Sequence, residues 1–144
     1  MKIALASDHG GFELKNGLRD YLSDEGYEVV DLGTESGESV DYPVYGKKCA
    51  EYVVSGQADK GIVVCGTGIG IGIAANKVHG ARCAVVASET HAFFAKNHND
   101  ANLIALGERT TELEDAKLYV DTWLQTKFDG GERHARRVKL LDDM

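Results

Sequence analysis

The 144-residue sequence has few of the residues that mark boundaries or membrane anchors. Its single proline is Pro43, and no low-complexity stretch divides the chain, so we expect one domain over residues 1–144. No apolar run approaches the ~18 residues of a membrane-spanning helix, and the N-terminal segment lacks the long apolar region of a signal peptide. We therefore expect no membrane partner.

Cysteine is also scarce, and its spacing excludes two common uses. Cys49, Cys65 and Cys83 are odd in number and form no C-x-x-C motif, which argues against a disulfide framework and against a zinc site. Free thiols are typical of a reducing compartment, so we expect a cytoplasmic protein.

Positive charge is in the minority. The net charge of −7 disfavours nucleic acid as a partner, because phosphate backbones attract basic surfaces. One segment departs from this balance: residues 133–139, RHARRVK, hold four of the 16 lysines and arginines.

Short apolar segments alternate with helical patterns along the whole chain. Strands are predicted at 2–7, 27–33, 61–65, 82–88 and 102–107. Apolar residues recur at helical spacing over 14–22, 45–53 and 113–124. This alternation predicts an α/β fold, a parallel sheet with helices on both faces. Ligands of such folds bind beyond the carboxyl ends of the strands.

A glycine run follows the third predicted strand, in the sequence CGTGIGIGIAANK at 65–77. It is compatible with a tight turn that carries no ligand. It is also compatible with a dinucleotide site, because Gly70, Gly72 and Ala75 match G-x-G-x-x-A and Glu89 follows as a candidate ribose-binding acid. That motif normally follows the first strand, and it leaves Cys65 unexplained.

The third interpretation of the run includes the cysteine. A thiol at the end of a strand, close to a helix N-terminus, can act as a base or a nucleophile. The backbone N–H groups of residues 66–70 could then hold an oxyanion, which suits proton abstraction next to a carbonyl. The alternative is that Cys65 is an inert buried thiol, as we expect Cys49 and Cys83 to be.

Several motifs together resemble one enzyme family. They are SDHGGFELK at 7–15, DYP at 41–43, CGTGIGIGIAANK at 65–77, HNDAN at 98–102 and RHARR at 133–137. In this order they are similar to the type B ribose-5-phosphate isomerases and galactose-6-phosphate isomerases. The resemblance implies a Rossmann-like three-layer α/β/α sandwich with a five-stranded parallel sheet, no cofactor, no metal, and a homodimer or homotetramer.

The reaction implied by the resemblance is the aldose–ketose interconversion of a sugar phosphate through an enediolate. Ribose 5-phosphate is the expected substrate, and allose 6-phosphate and galactose 6-phosphate are the alternatives. The galactose enzyme of the family works as a complex of two related chains.

The resemblance also implies residue roles. Cys65 is similar to the base, since the place where another branch carries a catalytic glutamate is Ile71 here. Thr67 resembles part of the oxyanion hole, and His98 resembles the acid–base that opens the sugar ring. The implied substrate-binding residues are Asp8, His9, Tyr42, Gly66, Gly68, Gly70, Asn99, Arg109, Arg133 and Arg137. Of these, His9 and the three arginines are similar to phosphate ligands.

Some of these residues could instead have purely structural roles. Asp8 could be a helix cap, His98 a helix-terminal histidine, and the basic segment a solvated helix face. Spacing of i, i+4 places Arg133 and Arg137 on one side of a helix. The resemblance implies that the tail, residues 128–144, packs on a partner subunit. Glu132 is an insertion relative to many members, so the path of 128–132 is left open.

Overall fold

The computed structural model describes all 144 residues. Its strands are β1 (Lys2–Ser7), β2 (Glu28–Asp31), β3 (Lys60–Cys65), β4 (Cys83–Val85) and β5 (Leu103–Gly107). Its α-helices are α1 (Phe12–Asp24), α2 (Tyr42–Val54), α3 (Ile69–Asn76), α4 (Glu89–Asn97), α5 (Leu113–Gln125) and α6 (Glu132–Asp142). A short 3-10 turn, His9–Gly11, precedes α1.

The five strands form one parallel sheet in the order β2-β1-β3-β5-β4. Helices cover both faces, so the predicted Rossmann-like three-layer fold with a five-stranded parallel sheet is confirmed. From β1 the chain moves outward to β2 and then returns past β1 to β3. The carboxyl ends of β1 and β3 therefore flank the switch point at which such sheets bind ligands.

Two apolar cores lie on the two faces of the sheet, because alternate side chains of each strand point to opposite sides. One core joins α1, α4 and α5 to residues such as Ile3 and Ile104. The other joins α2 and α3 to residues such as Ala4 and Val63, and Cys65 belongs to this second side. The first core includes Trp123, which is 1% exposed and donates from Nε1 to the Ala101 carbonyl at 3.0 Å.

The edge strands are shorter than their apolar sequences predicted. The segments 27–33 and 82–88 give only Glu28–Asp31 and Cys83–Val85. Both strands pair on one side only, so fewer residues gain ladder hydrogen bonds. Backbone hydrogen bonding to the neighbouring strand continues briefly past both, since the Leu32 N–H donates to the Leu5 carbonyl at 2.8 Å and the Val86 N–H to the Ala105 carbonyl at 3.0 Å.

The tail forms a helix, as the spacing of Arg133 and Arg137 predicts. Helix α6 contacts its own chain along one side, through buried Val138 and through an ion pair between Arg82 and Asp142 at 2.7 Å. The loop before α6 is hydrogen-bonded to the end of α4, since the Asp129 N–H donates to the Asn97 carbonyl at 2.8 Å. Leu140 and Leu141 stay exposed on α6.

None of the six helices has the length and the apolar character that crossing a membrane requires.

Candidate active site

The end of β1 supplies an acid and an imidazole. Asp8 caps the 3-10 turn, with its Oδ1 accepting from the Gly11 N–H at 3.1 Å, so the capping role considered from sequence is real. His9 is held by the loop before α2, since its Nδ1 accepts from the Val40 N–H at 3.1 Å. A neutral His9 ring then carries its proton on Nε2, which is left to donate to a ligand.

The turn from β3 into α3 holds the thiol in place. Gly68 has φ of 80°, which is strained for a residue with a side chain, and its N–H donates to the Cys65 Sγ at 3.1 Å. An N–H donor at this distance stabilises negative charge on sulfur. Thr67 Oγ1 accepts from the Ile69 N–H at 3.2 Å. Both hydrogen bonds are made within the turn that follows the end of β3.

These contacts bear on the oxyanion hole predicted from N–H groups 66–70. The N–H groups of Gly68 and Ile69 are already used, the first by sulfur and the second by the Thr67 hydroxyl. The N–H groups of Gly70 and Ile71 lie in the first turn of α3, where a helix provides no carbonyl to accept them. Of these two residues, Gly70 lines the cleft described below, whereas Ile71 is fully buried.

Gly70 and Gly72 have a packing role inside α3. A Cβ at Gly70 would come within 2.6 Å of the Tyr42 ring, and one at Gly72 within 3.2 Å of Ala105 and Val85. The dinucleotide motif requires such glycines in the turn before the helix. Moreover β5 separates β3 from β4, the strand that precedes Glu89. Both observations disfavour the dinucleotide interpretation.

The end of β5 closes the other side of the thiol loop. The Arg109 N–H donates to the Gly66 carbonyl at 2.9 Å, and the Arg109 side chain covers Gly66, where a Cβ would lie 3.3 Å from Nε. The Glu108 N–H donates to the Cys65 carbonyl at 2.9 Å. Glu108 also fixes α1, since its Oε1 accepts from the Leu14 N–H at 2.7 Å.

These elements enclose a cleft of about 480 Å³. Eight of the thirteen predicted site residues line it: Asp8, His9, Tyr42, Cys65, Gly66, Thr67, Gly70 and Arg109. Gly68 lies beneath as the turn residue. The sequence interpretation missed Gly10, Ile69 and Ile73 in the lining. The Gly10-Gly11 pair was the available signal, since a Cβ at Gly10 would come within 3.3 Å of the Gly66 nitrogen.

The other two thiols lie away from the cleft. Burial raises the pKa of Cys49 to about 12, and burial also raises the pKa of Cys83. Both thiols therefore stay protonated near neutral pH, in agreement with the inert roles expected for them. Cys65 is the one cysteine that lines this cleft, and it lies at the carboxyl end of its strand.

The remaining predicted residues form a second cluster at the amino edge of the sheet. His98 ends α4, and its N–H donates to the Phe94 carbonyl at 2.9 Å, so it is helix-terminal as considered from sequence. The His98 ring stacks on His134 of α6 with centroids 4.4 Å apart. Asn99 follows in the same loop, and Arg133 and Arg137 lie on α6. The stack had no signal in the sequence.

One chain does not bring the two clusters together. Cys65 pairs with Gly107 at the carboxyl end of β5, whereas His98 precedes Leu103, the first residue of that strand. The four residue steps from Leu103 to Gly107 alone span roughly 13 Å. The thirteen predicted residues therefore divide into a thiol cluster and a histidine–arginine cluster at opposite edges.

The six arginines fall into two groups, those with a carboxylate partner and those without one. Three form ion pairs with carboxylates: Arg19, Arg82 and Arg136. The other three have no carboxylate within 4 Å: Arg109, Arg133 and Arg137. The unpaired set is the set predicted to bind phosphate. Unpaired guanidinium groups in a chain of net charge −7 are available for an anionic ligand.

Metal ligation has no comparable support, since the His, Cys, Asp and Glu side chains form no group of three that could hold an ion. What the arrangement can do is bind an anion and move a proton. A thiol at the switch point, together with unpaired cations, indicates an α/β enzyme that acts on a small anionic substrate.

Comparison with known proteins makes the class specific. The model of the family described as Ribose/Galactose Isomerase matches residues 3–141. The solved structure of Clostridium thermocellum ribose-5-phosphate isomerase B superposes with a TM-score of 0.97 at 55% identity, covering 99% of this chain and 96% of the other. Ribose-5-phosphate isomerase B of Escherichia coli is 46% identical over 97% of this chain and 93% of its own length.

A relative that is named for a different substrate also matches. Galactose-6-phosphate isomerase subunit LacB of Clostridium acetobutylicum is 37% identical over 100% of this chain and 83% of its own length. The chain belongs to the ribose/galactose isomerase family, and it is a sugar-phosphate isomerase, which interconverts an aldose and a ketose.

Proposed function

We propose that this chain interconverts ribose 5-phosphate and ribulose 5-phosphate with Cys65 as the base. The observation that carries the proposal is the thiol sulfur held by the Gly68 N–H at 3.1 Å, inside a cleft that also contains Arg109. The two relatives with the higher identities reported above are named ribose-5-phosphate isomerase B.

The chemistry follows from the position of the thiol. The Cys65 thiolate takes the proton from C2 of the open-chain aldose, and the C–H electron pair forms the C1–C2 double bond while negative charge moves onto O1. The Gly70 N–H, with the Thr67 hydroxyl, stabilises that charge. A proton passes from O2 to O1, and the thiol returns its proton to C1, which gives the ketose. No electrons leave the substrate.

The phosphate is assigned to the unpaired cations. His9 and Arg109 face the cleft from the thiol cluster, and Asp8 and Tyr42 contact the sugar. Forked guanidinium groups bind phosphate oxygens in pairs, which fixes the sugar relative to Cys65.

We further propose that a second copy of the chain completes each site. His98, Asn99, Arg133 and Arg137 lie at the opposite edge from Cys65, so they reach a substrate in the cleft only from a partner. Exposed apolar side chains adjoin both clusters: Ile69 and Ile73 line the cleft, and Phe94 contacts His98 with ring centroids 4.5 Å apart. A twofold pairing of the two regions covers this surface and builds two equal sites. Residues 128–144 then extend to the partner.

The test is a direct assay of the purified chain with a chelator present. Ribose 5-phosphate, allose 6-phosphate and galactose 6-phosphate are compared by kcat/KM, which measures discrimination between substrates. Ribose 5-phosphate is expected to exceed each hexose phosphate by at least about tenfold. A higher value for galactose 6-phosphate reassigns the substrate towards that of the LacB relative. No turnover of any of the three overturns the proposal.

A further inference from the structure

Arg82 joins the loop that carries His98 to the helix that carries the tail arginines. Its Nε and Nη2 both donate to the Asp100 carbonyl, at 3.1 and 2.9 Å. Its Nη1 donates to Asp142 Oδ1 in the last turn of α6 at 2.7 Å. The Arg82 side chain is only 17% exposed, whereas its Asp142 partner is 40% exposed.

The loop held by Arg82 is conformationally unusual. Asp100 has φ of 45°, the only positive φ outside glycine in the chain. Its N–H donates to the Lys96 carbonyl at 3.1 Å, and its carboxylate pairs with the Lys96 ammonium. A non-glycine residue in this region is held there by its surroundings. The guanidinium fork on the Asp100 carbonyl fixes the turn that immediately follows His98 and Asn99.

The backbone of Arg82 is tied to the same region. Its N–H donates to Asn102 Oδ1 at 2.8 Å, and its carbonyl accepts from the Asn102 N–H at 3.0 Å. Asn102 also donates from Nδ2 to the Gly80 carbonyl at 3.0 Å. The guanidinium is therefore mounted on a rigid part of the amino edge.

We propose that Arg82 is a positioning residue: it fixes the His98–Asp100 loop and helix α6 relative to each other, so that the imidazole and the tail arginines meet one substrate together. It does not touch the substrate, since its donors are directed to Asp100 and Asp142. The inference rests on the proposed function, which assigns His98 to proton transfer and Arg133 and Arg137 to phosphate.

Two variants separate the two contacts. R82K keeps the charge but cannot fork onto the Asp100 carbonyl and reach Asp142 together. D142N removes only the ion pair to the tail. Their matched controls lie on the same helix: D143N removes a carboxylate paired with Lys139 at 3.0 Å, and R136K alters an arginine paired with Glu132 at 3.5 Å.

The expected kinetic effects differ between the variants. R82K lowers kcat about tenfold and raises KM about tenfold, because small displacements of catalytic groups cost one to two powers of ten. D142N raises KM about fivefold with kcat within about twofold, because it releases only the arginines on α6. Both controls stay within about twofold of the wild type. A purely structural role lowers the melting temperature of R82K and leaves kcat and KM unchanged, which would overturn the inference.

Amide hydrogen exchange of residues 132–142 supplies a readout that does not need activity. Exchange in R82K and D142N is expected to be at least about fivefold faster than in D143N, because the end of α6 is released. Equal exchange in all three proteins overturns the inference, whatever the kinetics show. If the wild-type chain converts no sugar phosphate, the proposed function fails, and the exchange result alone decides whether Arg82 holds the tail.

Discussion

Cys65 and His98 lie at opposite ends of the strands of the same sheet. Cys65 is level with Gly107, the last residue of β5, whereas His98 precedes Leu103, the first residue of that strand. A single chain therefore holds the thiol and the imidazole too far apart for one sugar. The same separation applies to the arginines without carboxylate partners, since Arg109 accompanies the thiol whereas Arg133 and Arg137 accompany the imidazole. A shared site accounts for both divisions with one twofold contact.

Cys65→Ala should lower kcat by roughly 10²–10⁴, with KM changed only a few fold, because removing a general base affects the transition state more than binding. The measurement is the steady-state rate with ribose 5-phosphate. Cys83→Ala is the control, since that thiol is buried away from the cleft and should keep turnover within about twofold. Near wild-type turnover in Cys65→Ala would refute the role of base.

His98→Ala should separate ring opening from isomerisation. Ribulose 5-phosphate has no ring to open, so its C1 proton should still exchange with deuterium from heavy water through the Cys65 thiol. Net conversion of ribose 5-phosphate should fall by roughly 10²-fold, as for loss of an acid–base group.

The exchange is followed by proton NMR before the reaction reaches equilibrium. His91→Ala, which alters an exposed histidine in the first turn of α4, is the control and should retain both activities. Loss of the exchange and of net conversion by the same factor in His98→Ala would contradict the division of roles.

Gly70→Ala should weaken substrate binding without unfolding the chain. The added Cβ would lie 2.6 Å from the Tyr42 ring, and that ring, 41% exposed, has room to move out of the cleft. KM should rise about tenfold, whereas stability should hold, since alanine favours a helix over glycine by about 1 kcal/mol. Tyr42→Ala should raise KM similarly, and the double variant should add nothing further.

The matched control for this prediction is Gly37→Ala, where a Cβ would meet no atom within 4 Å. Additive effects of Gly70→Ala and Tyr42→Ala on KM would show that the glycine acts on the substrate by another route.

Lys60→Met should stabilise the chain, and more at pH 7 than at pH 10. Burial, with the positive charge of Lys96 nearby, lowers the pKa of Lys60 from 10.5 to about 8. The unfolded chain thus binds a proton between about pH 8 and 10.5 that the folded chain releases, so the free energy of unfolding rises with pH in that window. Below about pH 8 the folded chain must hold a charged Lys60 ammonium in a partly buried place, and methionine removes that cost.

Thermal melts at the two pH values check this, with Lys47→Met as the control. Lys47 is exposed and pairs with Glu51 within α2 at 3.8 Å, so its loss should have little effect at either pH. A Lys60→Met chain that is destabilised equally at pH 7 and pH 10 would contradict the account.

The parallel fold was predictable because the buried strands have short apolar sequences and three of the helices, α1, α2 and α5, have an apolar stripe. The strand order was not predictable, because nothing in the sequences of β4 and β5 indicates that β5 lies next to β3. The edge strands were overestimated by a few residues, although Leu32 and Val86 still donate to the neighbouring strands and pack on a core.

The thiol cluster was predictable for a related reason. Asp8, Cys65 and Arg109 each end a strand or follow its end within two residues, and carboxyl ends of parallel strands share one edge. The same rule places His98, which precedes a strand, at the other edge, although the family resemblance grouped it with Cys65. The stacking of His98 on His134 and the contacts of Arg82 depend on where α6 packs, and its sequence alone does not determine that.

Mixing two inactive variants tests the shared site most directly. Cys65→Ala lacks the base and Arg137→Ala lacks a phosphate ligand from the other cluster, so hybrid dimers formed by subunit exchange carry one site with both lesions and one intact site. The account predicts that activity with ribose 5-phosphate returns to about half the wild-type value per hybrid dimer, the arithmetic of one intact site out of two. No recovery after verified exchange between two folded, inactive variants would show that each site is built from one chain and would contradict the account.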